Sequence, residues 1–199
     1  MAGRQRTGGI EVVFGPMFSG KTTELLRRLQ EAGQAGLKYQ AFKPAQDYRY
    51  ASDQLVTHDG HKLACIPVLT PLQVLKHVNP NTDLVGIDEV HMFKQPGELA
   101  QVAKLLAKRE KRIILVGVDT DKYRVPFAWL NSLGTGIERT HLSATCARCG
   151  RPAYYSQRLD TDQTFSTRRA RIEVGGPEKY EPRCARCHRG IAKRLTARD

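Results

Sequence analysis

No apolar run in the 199 residues approaches the length of a membrane span, and the one apolar stretch near the start, residues 10–14, is far shorter than the core of a secretory leader. The expectation is a cytoplasmic protein with no membrane partner. Cysteine is scarce. Five cysteines cannot all pair, and four of them form two Cys-x-x-Cys pairs, which suits metal binding better than an extracellular disulfide scaffold. Internal repeats and low-complexity tracts are absent as well. Acidic residues are the minority charge, 20 Asp+Glu against 32 Lys+Arg, and the net +12 implies an anionic partner, either nucleic acid or the phosphates of small nucleotides. The segment after residue 140 carries +7 of that charge but shows no aromatic-basic pattern of the kind that stacks nucleic acid bases.

What is present is the composition of a folded protein, 40% apolar and 26% charged, long enough for one core and a small appendage. Residues 10–14 read as a buried strand, followed by a glycine-bounded loop and a helix from about Gly20, with Leu25, Leu26, Leu29 and Ala32 on one face and Gly33 and Gly36 ending it. Strands are expected at 39–43 and 62–68, and a short helix after Pro71. A clearer unit follows: a strand at 83–88, an amphipathic helix at 98–109 and an apolar strand at 112–118. Such alternation specifies an α/β fold, a mostly parallel sheet with helices on both faces, because parallel strands need helical crossovers. After about His141 the pattern changes to short segments and paired cysteines. The expected division is 1–141, a nucleotide-binding α/β unit, and 142–199, a module too small to stand without a staple.

Gly15-Pro16-Met17-Phe18-Ser19-Gly20-Lys21-Thr22 has the spacing of a phosphate loop and lies between a strand and a helix, where the mechanism requires it. Its main-chain N–H groups converge on phosphates, aided by the helix N-terminus. Lys21 reaches the terminal phosphates of ATP, and the Thr22 hydroxyl can ligate Mg2+. Asp88 closes the apolar strand, as an acid on the metal side should. Glu89 follows it and can point at the acceptor instead, which makes it the expected general base. Asp88-Glu89-Val90-His91 also resembles the box of a nucleic-acid helicase, but helicases of that class carry two such units in tandem. The alternative kept open is a phosphate-loop ATPase that binds nucleic acid through its basic module.

Cys146, Cys149, Cys184 and Cys187 supply four thiolates in two identical knuckles, enough to close a structural Zn2+ site. His188 could replace Cys187 as fourth ligand. The 34 residues between the pairs imply a long loop on a zinc-stapled base. Cys65, in an apolar strand, reads as a core residue.

Together these parts resemble the thymidine kinase family of the zinc-containing, cellular and bacterial type, from about Ile10 to Ile191. The resemblance is carried by Gly15 to Thr22 and by Lys43-Pro44-Ala45-Gln46-Asp47-Tyr48-Arg49-Tyr50. Also in the family's order are Thr57-His58-Asp59, Ile87-Asp88-Glu89-Val90, Val174-Gly175-Gly176 and Tyr180-Glu181-Pro182-Arg183-Cys184. It implies a P-loop, RecA-like sheet and a zinc-binding lasso domain. The implied reaction is transfer of the γ-phosphate of ATP to the 5′-hydroxyl of thymidine, with Glu89 as the base. It places Asp47 and Arg49 near the phosphates and magnesium. Around the nucleoside it places Met17, Met92, Phe93, Phe127, Arg158, Ile172, Glu173, Val174, Gly175 and Tyr180, with the loop reading the base largely through main-chain groups. A homotetramer and feedback inhibition by dTTP are also implied, with no nucleic-acid partner.

Three stretches depart from the family's usual pattern, one of them the lasso at Asp160 to Arg171, which is longer and more basic than is usual. Where the family carries Glu-x-Gln-Phe-Phe, this chain has Glu89-Val90-His91-Met92-Phe93. Where bacterial members read Asp-x-Asp-Phe-Arg-Gly, it has Asp119-Thr120-Asp121-Lys122-Tyr123-Arg124, with a lysine in place of a base-packing phenylalanine.

Overall fold

The computed structural model describes residues 8–48, 53–57, 59–159 and 174–189. Arg49, His58, Ile172, Glu173, the loop at 160–171 and the tail beyond residue 189 lie outside the described residues. Six strands form one sheet: β1 (Gly9–Phe14), β2 (Tyr39–Pro44), β5 (Ile66–Val68), β6 (Leu84–Ile87), β7 (Arg112–Gly117) and β8 (Glu138–His141). Their order is β5-β2-β6-β7-β1-β8, and every neighbouring pair is parallel. The helices α1 (Lys21–Gln34), α2 (Pro71–His77), α3 (Pro96–Lys108) and α4 (Ala128–Ser132) cover it.

Strand alternation divides the core between the two faces. Along β7, Ile113 and Leu115 join Val12, Phe42, Val85 and Ile87 beneath α2, α3 and α4. Ile114 and Val116 point the other way, with Val13, Ala41 and Leu84, and meet Leu25, Leu26, Leu29 and Ala32 of α1. Such two-sided burial explains why the central strands read as unbroken apolar runs. Gly86 sets how closely α1 can pack, because a Cβ there would lie 2.9 Å from Leu25 Cδ1.

Several bounds differ from expectation. Helix α1 continues through Gly33 and stops at Gly36, whose φ of 81° and the Leu37 N–H to Ala32 carbonyl bond of 2.9 Å close the helix. Gly33 instead makes room for the Tyr39 ring. Helix α3 begins at Pro96, two residues early, since proline fits the first helical turn. The strand expected at 62–68 is two strands. Cys65 donates its N–H to the Asp53 carbonyl at 2.8 Å, so β4 (Lys62–Ala64) pairs with β3 (Gln54–Val56), and only β5 enters the main sheet. Pro67 is tolerated there because β5 is an edge strand among the described residues.

An ion cluster ties β1, β7 and α1 together. Glu11 accepts from Arg28 Nη1 at 2.8 Å and from Arg112 Nη2 at 2.9 Å, with a further bond from Arg112 Nε. Burial alone would push the Glu11 carboxyl up; the two guanidiniums outweigh it and hold the group below the usual carboxylate range.

Beyond His141 the chain leaves the large sheet. It forms two small antiparallel pairs, β9 (Ala144–Thr145) with β10 (Pro152–Ala153), and β11 (Tyr155–Arg158) with β12 (Tyr180–Arg183). Among the described residues no helix is long and apolar enough to cross a membrane.

Candidate active site

The parallel sheet brings the ends of β1, β2, β6 and β7 to one edge, and the cavity lies there. The loop after β1 depends on Gly15, where a Cβ would sit 2.3 Å from the Leu142 carbonyl oxygen. Gly20, at φ 79°, turns the chain into α1. Ser19 Oγ donates to the Pro16 carbonyl at 2.8 Å, and Lys21 Nζ donates to the same oxygen at 2.5 Å.

Strand β6 ends at Ile87, and the next two residues diverge. Asp88 accepts the Thr22 hydroxyl at Oδ2 over 2.8 Å and the Glu89 N–H at Oδ1 over 2.9 Å. Because the Thr22 hydroxyl gives its proton to Asp88, its oxygen can present lone pairs to a cation. The Thr22–Asp88 pair therefore fits Mg2+. Glu89 has φ 50° and ψ 35°, a left-handed conformation that is costly for a residue with a Cβ. This turns its side chain away from the line of the strand and starts a 3₁₀ turn at Val90–Met92. Oε2 of Glu89 lies 3.4 Å from His91 Nδ1.

The cavity has a volume of about 650 Å³, within the range of small-molecule sites. Met17, Phe18, Gly20, Lys21, Thr22, Asp47, Asp88, Glu89, Met92, Phe127, Val174, Gly175 and Tyr180 line it. These expected residues share one space. Gly15 and Pro16 are buried behind the loop, and Ser19 faces a shallower cavity. Phe93 packs in the core with Leu99 and Trp129, and Arg158 pairs across β11 with Tyr180; neither lines the cavity.

Residues outside the expected site also line it. Ser156, from β11, is buried and its hydroxyl accepts the Met17 N–H at 2.9 Å. Lys43, His91, Val118, Thr120, Asp121 and Lys122 are among the others on its wall. Lys122 is buried there. The neighbouring Asp119 is half-buried, and desolvation raises its proton affinity; its Oδ1 has no hydrogen-bond partner among the described residues. His91 had a sequence signal, two residues after the acid pair. Ser156 had none, because its contact spans 139 residues.

Sulfur atoms of Cys146, Cys149, Cys184 and Cys187 all lie within 4.8 Å of one another, with Cys149 and Cys184 3.6 Å apart. Thiolates around tetrahedral zinc are about 3.8 Å apart, so this donor set fits zinc. The Arg151 main-chain N–H and side chain hold the Cys149 thiol down to about 6, while desolvation and the neighbouring sulfurs push Cys187 up to about 12. A divalent cation would relieve that opposition. His188 is not part of the cluster. Its Nε2 lies 3.2 Å from the Ser156 carbonyl.

The thymidine kinase profile matches residues 8–188, nearly the whole chain. The chain belongs to the thymidine kinase family. A likeness to solved structures is looser. The replication initiator DnaA bound to AMPPCP and single-stranded DNA shares 17% identity, with 68% of this chain and 40% of that one covered and a TM-score of 0.42. A DNA replication initiation factor shares 16%, covering 68% and 40% at a TM-score of 0.41. Domain III of Thermotoga maritima DnaA shares 14%, covering 70% and 56% at 0.43. The aligned region thus spans well under half of the first two chains and just over half of the third.

Proposed function

We propose that this protein transfers the γ-phosphate of ATP to the 5′-hydroxyl of thymidine. The observation that carries the reading is the single cavity shared by the phosphate loop, the Asp88–Glu89 pair and the 174–180 segment. In this reading the N–H groups of residues 17–22 and the start of α1 hold the phosphates, and Lys21 follows the charge as it shifts toward the leaving oxygen. Asp47 and Arg49 assist at the phosphates. Magnesium, held by Thr22 with Asp88, would neutralise charge on the β- and γ-oxygens. Glu89 takes the proton of the 5′-hydroxyl as that oxygen attacks phosphorus.

Met17, Met92, Phe127 and Tyr180 give the base an apolar bed. The main chain around Ile172, Glu173, Val174 and Gly175 reads its polar edge, with Phe93 and Arg158 supporting from behind. Zinc on the four cysteines staples the module and takes no part in the chemistry. We further propose a cytoplasmic homotetramer inhibited by dTTP, to be checked by light scattering and inhibition kinetics.

Purified protein with ATP and magnesium should be offered a panel of nucleosides. Thymidine monophosphate is the expected main product. Phosphorylation of other nucleosides only would remove thymidine while keeping the kinase. ATP hydrolysis stimulated by oligonucleotides, with no nucleoside product, would favour a nucleic-acid-dependent ATPase.

A further inference from the structure

A carboxylate is a weak base toward an alcohol, so proton transfer to Glu89 gains from any neighbour that stabilises the newly protonated carboxyl. His91 is that neighbour. Its Nδ1 lies 3.4 Å from Glu89 Oε2, and the same nitrogen accepts the main-chain N–H of Val118 at 3.3 Å. A ring nitrogen that accepts an N–H presents a lone pair, which puts the ring proton on Nε2. Glu89 Oε2 therefore faces the lone-pair side of the imidazole. The ring is held in place. Its side chain is 9% exposed, it tilts against the Phe127 ring at 5.3 Å between centroids, and its backbone lies in the 3₁₀ turn that Glu89 begins.

We propose that His91 is a positioning residue for the base, its Nδ1 accepting a hydrogen bond from the Glu89 carboxyl once that group holds the acceptor's proton. The inference rests on the phosphotransfer reading above. As the acceptor O–H bond breaks, its electron pair forms the new O–P bond and its proton passes to a Glu89 oxygen. The resulting O–H then turns to Nδ1, closing from 3.4 Å to an ordinary distance of about 2.8 Å, while the Val118 N–H yields part of its share of the lone pair. The arrangement rewards the protonated base and not the ionised one, so it acts on turnover more than on binding.

The test compares His91→Leu, which removes the acceptor at similar volume, with His91→Asn, whose amide oxygen can stand near the place of Nδ1. Leu should lower kcat about tenfold, the size of one hydrogen bond, with KM for ATP within about twofold of wild type. Asn should stay within about threefold of the wild-type kcat. Wild-type turnover in Leu, or an equal fall in Asn, would overturn the inference. Should Leu fail to fold, nitrogen NMR of the wild-type imidazole decides: Nδ1 is expected unprotonated and Nε2 protonated, and the reverse overturns the inference. A wild-type protein that phosphorylates no nucleoside would instead defeat the functional reading itself.

Discussion

The main-chain N–H of Met17, inside the phosphate loop, donates to the Ser156 hydroxyl across 2.9 Å, joining two segments 139 residues apart. The Ser156 carbonyl in turn lies 3.2 Å from His188 Nε2, beside the second cysteine knuckle. The phosphate loop is thus registered against the cysteine module at one buried serine. Ser156→Ala leaves the Met17 N–H without that acceptor, and KM for nucleoside is expected to rise about three- to tenfold, as for one lost hydrogen bond. Ser156→Thr keeps the hydroxyl and should hold KM closer to wild type. Steady-state kinetics on both variants checks this.

Glu89→Gln keeps the shape of the side chain but cannot take a proton. Turnover should fall by about 10²- to 10⁴-fold while ATP affinity, measured by calorimetry, changes little. Equal losses in binding and turnover would remove the base assignment.

Metal analysis should find one zinc per chain. Stripping it with a strong chelator, or replacing Cys184 by Ser, should lower the melting midpoint by about 5–15 °C, because the small module loses its staple. Nucleoside turnover should fall with it, and restored zinc should recover both in the chelated protein.

Glu11 ionises more readily in the folded protein than in the unfolded chain. Its contribution to stability is therefore complete above the ordinary carboxylate range and is lost as pH falls through the lower folded value. Glu11→Gln should cost about 1–3 kcal/mol at neutral pH and less in strong acid. Urea melts of both proteins from pH 7 to pH 3 should converge toward the acid end.

Gly15→Ala forces a methyl group against the Leu142 carbonyl, only 2.3 Å away. Backbone has no room to give there, so a loss of about 1–3 kcal/mol in stability and weaker ATP binding are expected. Thermal melts with and without nucleotide measure both.

Local features were legible because their chemistry is written in spacing. Gly15 through Thr22, the Asp88–Glu89 pair at the end of an apolar run, and the two cysteine pairs each need only neighbours in sequence. The structure places Thr22, Asp88 and Glu89 on one cavity and the four sulfurs in one cluster. What was not legible depends on distant partners. Strand β7 lies between β1 and β6, an order that periodicity cannot state. Strand β8 is a short polar edge strand, Glu-Arg-Thr-His, with no apolar run to betray it. Helix α4 has five residues, and only the burial of Trp129 with its Nε1–H on the Val118 carbonyl marks its importance. Cys65 looked like mid-strand, yet its N–H leaves for Asp53 and splits the run in two.

Phe18 and Glu89, which both line the cavity, hold left-handed backbone angles, 64° and 50° in φ. Replacing either with glycine would relax the chain and, at 89, delete the reacting group. Breeding a hardier version of this protein by consensus or directed selection should therefore leave these two positions alone and find its gains far away, on the solvent faces of α1 and α3.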